Sequence, residues 1–190
     1  MIKIYRALIT DFSQADYTKQ YGLLDCALKK KIDDKKKSED KMRSLAGYIL
    51  LWRGAFELYN KSDFSIYFNE HGKPFCDFCY FSISHSETNV VCVFSDNPVG
   101  IDIQKIKPIK KREGYRFFNS AESEYVNAKN DLISKRYIEI FTKKESAVKL
   151  MGIPLLSAKT IDTFSKDFCF ETQCKDEFII TVCSKNIDIL

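Results

Sequence analysis

The chain has 190 residues, 45% of them hydrophobic and 14% aromatic, enough apolar material for a full core as one domain or as two halves of roughly 90 residues each. No apolar run approaches the ~18 residues of a membrane-spanning helix, which excludes an integral helical membrane protein. The net charge of +4 is mild and gathers in two runs, "KKKIDDKKK" at 29–37 and "KIKPIKKR" at 105–112. Such runs are solvated loops or contacts for a polyanion or phosphate-rich ligand, and neither carries the interleaved aromatics of a single-strand nucleic-acid groove.

The opening "MIKIYRALITDFSQ" alternates as a strand and lacks the apolar stretch and small-residue cleavage site of a signal peptide, so the expected location is the cytoplasm. A polar helical region follows near residues 13–30. "SEDKMRSLAGYILLWRGAFELYN" predicts a long helix with Met42, Leu45, Ile49, Trp52, Phe56 and Tyr59 as its buried stripe, Arg43 beside that stripe and Asn60 as its stop. "DFSIYFNEHGKPFC" predicts a strand and then a turn at Gly72, Lys73 and Pro74. The seven cysteines show no framework spacing and fall mostly in strand-like runs, as reduced, buried small hydrophobes do. Cys76 and Cys79 in "CDFC" have the spacing of half a zinc site, with His71 and His85 nearby, but a second ligand pair of the usual spacing is missing.

"YFSISHSETNVVCVFSDNPVGIDIQKI" holds three strand-like runs separated by two turn clusters, the pattern of an antiparallel meander. With Phe94 opposite Val99, Asp102 faces Val91; with Ser84 opposite Val90, His85 and Gln104 lie at the same end. In the last run Ile101 and Ile103 point one way and Asp102 and Gln104 the other. Asn119, three residues before Glu122, marks a helix start with a capping box. In "SKRYIEIFTKKESAVKLMG", Tyr137, Phe141, Val148 and Met151 recur at helical spacing, and Gly152 with Pro154 beyond it closes the helix. "DFCFETQCKDEFIITVCS" supplies two final strands. Each half thus offers one principal helix and about three strands, an α+β repeat in outline.

Glu145 falls within the apolar stripe of the second long helix, with Lys149 at i+4. Such a pair on a solvated flank carries no function, whereas a charge on an apolar stripe is costly unless it is paired, binds a metal or lines a cleft. Asp102 on a strand and Glu145 on a helix, with Lys73, His85 and Lys149 as cations, suit a Mg²⁺ ion that keeps several waters and is otherwise held by substrate phosphates.

The ordered set "GKP" at 72–74, "FSISHS" at 81–86, "VGIDIQ" at 99–104, "RFFNSAESEY" at 116–125 and "FTKKESAVK" at 141–149 resembles the 4'-phosphopantetheinyl transferases of the surfactin-synthetase-activating type. The resemblance spans about residues 70–152, and the helix carrying Arg43, Ser44 and Gly47 fits as well. It implies an α+β fold of two similar halves, 1–98 and 99–190, each a small, mainly antiparallel sheet packed on a long helix, with the site in the cleft between them. The implied activity is transfer of the phosphopantetheine arm of coenzyme A to a serine of an acyl or peptidyl carrier protein, releasing adenosine 3',5'-bisphosphate. Asp102 and Glu145 match the family's Mg²⁺ ligands, Gln104 standing beside them; Lys73, Ser84, His85 and Arg43 match coenzyme A phosphate contacts, with Lys31 as a further helper. Glu145 matches the base for the carrier serine and Lys149 the group that steadies the leaving phosphate.

Three departures accompany the match. Gln104 replaces a second strand carboxylate, Phe141 replaces a tryptophan, and the chain ends soon after its last strands. The rival reading is a non-catalytic homologue that grips coenzyme A or a carrier domain, which Gln104 favours. A monomer without nucleic-acid or membrane partners is expected. The segment "KIKPIKKREGYRFF" is the expected carrier-docking surface, with Lys110, Lys111 and Arg112 facing the acidic partner.

Overall fold

The computed structural model describes residues 1–109 and 115–185. Lys110, Lys111 and Arg112, the end of the second basic run, lie outside the described residues.

The alternating N-terminus is β1 (Ile2–Leu8). The polar region after it is two helices, α1 (Gln14–Leu23) and α2 (Cys26–Asp33), because Leu24 turns extended and Asp25 caps a new start by accepting from the Leu28 N–H. The long helix α3 runs Ser38–Tyr59 and stops at Asn60, whose φ of 53° is left-handed. Its buried face is rotated from the expected stripe: Leu45, Ala46, Leu50, Leu51 and Ala55 enter the core, whereas Phe56 is 59% exposed. Gly54 lets the helix lie close on the sheet, since a Cβ there would lie 2.2 Å from the Phe94 ring, and Met42, Ile49, Trp52 and Tyr59 pack around the margin. β2 (Tyr67–Phe68) and β3 (Pro74–Phe75) pair antiparallel. The side chain of Asn69 ties their turn together, its Oδ1 accepting from the backbone N–H of His71 at 3.0 Å and of Lys73 at 2.8 Å.

β4 (Tyr80–Ser86) and β5 (Asn89–Ser95) form the predicted hairpin, but Ser84 faces Val91 rather than Val90. Ser86 and Asn89 close the ladder, and Glu87 takes a φ of 53°, so the turn is tighter by a residue than the sequence pairing assumed. The meander then breaks. β6 (Val99–Lys105) is not paired with β5; the first sheet has the order β1-β5-β4, and β6 opens a second sheet.

In that second sheet α4 (Ser120–Asn127) and α5 (Ile133–Met151) precede β7 (Phe168–Lys175) and β8 (Phe178–Lys185), and the order is β6-β8-β7. Both three-stranded sheets therefore place their last strand in the middle, and both have a long helix before the closing hairpin. β6 runs beside β4 in the same direction, linked through serine side chains. The backbone N–H groups of Ile101, Ile103 and Lys105 donate to the hydroxyls of Ser82, Ser84 and Ser86 at 3.2, 3.4 and 3.1 Å. Serine oxygens stand in for strand carbonyls, which satisfies the buried amides of β6 while keeping the two sheets distinct. His85 is thereby level with Gln104 across this seam and not through a meander.

Gly100 places β6 directly on α5: a Cβ there would lie 1.9 Å from the Ser146 carbonyl oxygen, so no side chain fits. Gly152 ends α5 at a φ of 67°, its N–H bonded to the Val148 carbonyl, as its position after the apolar stripe predicts. Val91, Val93, Ile101, Ile103 and Val182 join the two sheets in one apolar cluster. The fold is α+β with small antiparallel sheets. Among the described residues no helix is long and apolar enough to cross a membrane.

The cysteines divide. Cys76, Cys92 and Cys183 are buried as expected, but Cys26, Cys169 and Cys174 are exposed, at a helix start and on the edge strand β7.

Candidate active site

The strand period puts Ile101 and Ile103 into the apolar layer and turns Asp102 and Gln104 to the other face. Asp102 is 1% exposed, so its charge needs partners. Its Oδ1 accepts from the Ser84 hydroxyl at 2.6 Å and from Lys149 Nζ at 2.7 Å, and its Oδ2 accepts from Gln104 Nε2 at 3.3 Å. Lys149 Nζ also donates to Ser84 Oγ at 2.7 Å. One strand from each sheet and α5 thus meet in a hydroxyl, a carboxylate and an ammonium, bound by short charge-assisted hydrogen bonds.

Glu145 lies one helical turn before Lys149 and is mostly buried. Burial first, and then the negative charge of Asp102, push its carboxyl up to about 7 from the ordinary 4.5, with Lys149 pulling the other way. Two carboxylates that repel each other, one already turned to an ammonium, form a donor set that fits a divalent cation, and Gln104 turns its amide nitrogen to Asp102. Among the described residues no group of three or more His, Cys, Asp or Glu side chains could hold a metal. An ion here would therefore rest on Asp102 and Glu145 and take its other ligands from water and phosphate oxygens. The same observation leaves Cys76 and Cys79 without the remaining ligands of a zinc site.

The other expected cations spread over a wider surface. His85 stands at the rim; the protein packed around part of its ring, and then the charges of Lys149, Arg43 and Lys35, lower its pKa. Lys73 donates to the Leu150 carbonyl at the end of α5 at 2.9 Å, and burial lowers its pKa. It lines a cavity of about 240 Å³ between the β2–β3 turn and α5, together with Gly72, Ser82, Val148, Lys149 and Ile153. Arg43 donates to the Glu87 carbonyl at 2.9 Å and to Asp40 at 2.5 Å. Lys31 sits 3.4 Å above the Phe68 ring, beside Lys35, Ser44 and Tyr48 in a second cavity of about 330 Å³. Asp102, Ser84, Gln104 and Lys149 are brought into contact with one another, with Glu145 coupled to them by charge. Lys73, His85, Arg43 and Lys31 instead border the adjoining cavities and rim.

Of the expected apolar face of α5, Val148 is buried, Tyr137 and Phe141 are half-buried and Met151 is exposed; the helix is also buried along Ile140, Lys144 and Ala147 and at Thr142 and Ser146. The fully buried charge is therefore Lys144, at 1% exposure, which pairs with Glu122 at 2.9 Å and donates to the carbonyls of Ala158 and Ile161 at 3.1 and 2.5 Å. Glu122 completes the expected capping box with Asn119 and also accepts from the Thr163 N–H and hydroxyl. Sequence reading found the cap but not the ion pair, because partners 22 residues apart on two helices leave no periodic signal. The alternate serines at 82, 84 and 86 were the legible sign of the seam.

Residues 98–186 match the model of the 4'-phosphopantetheinyl transferase superfamily. The chain is 40% identical over 121 residues to 4'-phosphopantetheinyl transferase gsp of Aneurinibacillus migulanus, covering 60% of this chain and 50% of that protein. It is 35% identical over 133 residues to 4'-phosphopantetheinyl transferase Sfp of Bacillus subtilis strain 168, covering 67% and 58%. With 4'-phosphopantetheinyl transferase psf-1 of Bacillus pumilus it shares 33% over 125 residues, covering 60% and 51%. The resemblance carried by the motifs is borne out. The chain spans about half the length of the curated relatives it matches.

Proposed function

We propose that this chain transfers the 4'-phosphopantetheine arm of coenzyme A to a serine of an acyl or peptidyl carrier protein. The new bond joins the serine oxygen to the phosphorus that bears the arm. The pyrophosphate bond breaks, and adenosine 3',5'-bisphosphate leaves. The reading is carried by the Asp102, Ser84 and Lys149 cluster, where a buried carboxylate meets an ammonium, with the Glu145 carboxyl, poised near neutral pH, one helical turn from Lys149. It is supported by the family match over residues 98–186.

Asp102, Glu145 and Gln104 are the proposed holders of Mg²⁺. When bound, the ion would offset charge on the pyrophosphate and draw the two carboxylates together. Glu145, with its raised pKa, takes the proton of the serine hydroxyl directly or through water. Lys149 steadies Asp102 and faces the departing phosphate. Lys73, Ser84, His85 and Arg43 are the proposed phosphate contacts, with Lys31 and Lys35 at the outer edge. The two sheets with the same strand order are proposed as halves 1–98 and 99–190 related by a pseudo-twofold, with the substrate in the cleft along the β4–β6 seam.

Gln104 supports the alternative of a non-catalytic homologue, since its amide adds no charge beside Asp102. One experiment separates the two readings: the protein, coenzyme A and Mg²⁺ are incubated with apo-carrier domains and the carriers are weighed by mass spectrometry. Gain of one phosphopantetheine arm on the carrier serine is the expected result. Coenzyme A binding by calorimetry without any carrier mass gain assigns the binding role instead.

A further inference from the structure

A second chemically equipped place lies away from the carboxylate cluster. A pocket of about 600 Å³ opens between the β2–β3 hairpin and the end of α5, lined by Lys73, Phe75, Cys76, Cys79, Tyr80 and Met151 among others. The bend at Asp77 and Phe78 folds the chain back on itself, so that the two cysteine sulfurs lie 3.6 Å apart. Cys76 also approaches the Cys79 carbonyl oxygen at 3.5 Å. A disulfide of ~2.05 Å requires the two sulfurs to close that gap across the bend at Asp77 and Phe78. Phe78 anchors the loop, packing edge-on against Tyr59 at 5.5 Å and Phe64 at 5.1 Å.

We propose that Cys76 and Cys79 form a dithiol exchange site that takes a low-molecular-weight disulfide into this pocket and closes to an intramolecular disulfide. The Cys76 thiolate attacks one sulfur of the small disulfide and displaces one thiolate. Cys79, losing its proton, then attacks the Cys76 sulfur and displaces the second. Two protein S–H bonds and one S–S bond of the ligand give one protein disulfide and two small thiols, and the two protons end on those thiols. Hydrogen bonds from Cys79 and from the backbone N–H groups of Cys79 and Phe78 lower the Cys76 thiol to about 7, while Cys79 is pushed up. Cys76 is thus the attacking sulfur and Cys79 the resolving one. Cys76 and Cys79 have no role in the proposed transfer, and although Lys73 lines this pocket as well as the proposed coenzyme A site, the thiol chemistry is read without coenzyme A or carrier.

The test treats the folded, reduced protein with glutathione disulfide at neutral pH, quenches with an alkylating reagent and maps all seven cysteines by peptide mass spectrometry. The expected result is loss of two hydrogens from the peptide bearing Cys76 and Cys79, with two glutathione molecules released per chain, before the exposed Cys26, Cys169 or Cys174 reacts appreciably. Cys79→Ser should instead accumulate a glutathione adduct on Cys76. The proposal is overturned if the wild-type pair stays alkylatable while the exposed cysteines become glutathionylated, or if the pair takes up glutathione and never closes. The wild-type map alone decides this, whatever the folding of the variant.

Discussion

Glu145→Gln separates the cost of the site from its use. The folded-state pKa of Glu145, about 7, lies above its ordinary 4.5. Its contribution to stability is therefore fully present below pH 4.5 and is lost as pH rises through 7. At ~1.36 kcal/mol per pKa unit the shift sets a ceiling of about 3 kcal/mol, and residual solvent access and local relaxation bring the expected effect to about 1–2 kcal/mol. Glutamine resembles the protonated form and does not incur this loss. Urea unfolding of wild type and Glu145→Gln should give nearly equal stabilities at pH 4.5 and a variant more stable by about 1–2 kcal/mol at pH 8. Transfer activity should fall by roughly 10²- to 10⁴-fold. A variant no more stable than wild type at pH 8, or one with the same gap at both pH values, would refute the reasoning. Near-normal turnover would remove Glu145 as the base.

Gln104→Glu adds a carboxylate beside Asp102, so the Mg²⁺ concentration giving half-maximal activity should fall; an unchanged requirement would mean that residue 104 does not face the ion. Asp102→Ala removes the acceptor of Ser84, Lys149 and Gln104 and should abolish measurable transfer in the carrier assay while leaving the circular dichroism spectrum native. Lys144→Met leaves Glu122 buried and unpaired and should cost about 3–5 kcal/mol in chemical unfolding, with part of that loss recovered in the Lys144→Met, Glu122→Gln double variant. A loss below 1 kcal/mol would show that water reaches the pair. Reversing Lys110, Lys111 and Arg112 to glutamate should raise the KM for the carrier and flatten its salt dependence, with coenzyme A binding unchanged by calorimetry.

Features that depend on neighbours along the chain were legible without the fold. Helix stops at Asn60 and Gly152, the capping box of Asn119 and Glu122, the turn near Gly72 and the opposed faces of Ile101 and Asp102 all follow from local backbone and side-chain chemistry. Five short motifs in order also pointed to the family. Beyond local hairpins such as β4–β5, strand partnership was set by contacts distant along the chain. The β4–β5–β6 run looks like a meander because strands and turns alternate, yet β6 leaves for another sheet and meets β4 through the Ser82, Ser84 and Ser86 hydroxyls. Helical periodicity fixed the existence of a buried face on α5 but not its rotation, since Tyr137 and Phe141 are apolar enough to be half-buried while Lys144 is buried only because Glu122 and two carbonyls from distant segments surround it. Charges enter a core through partners far away in sequence, and no window along the chain contains both members of such a pair.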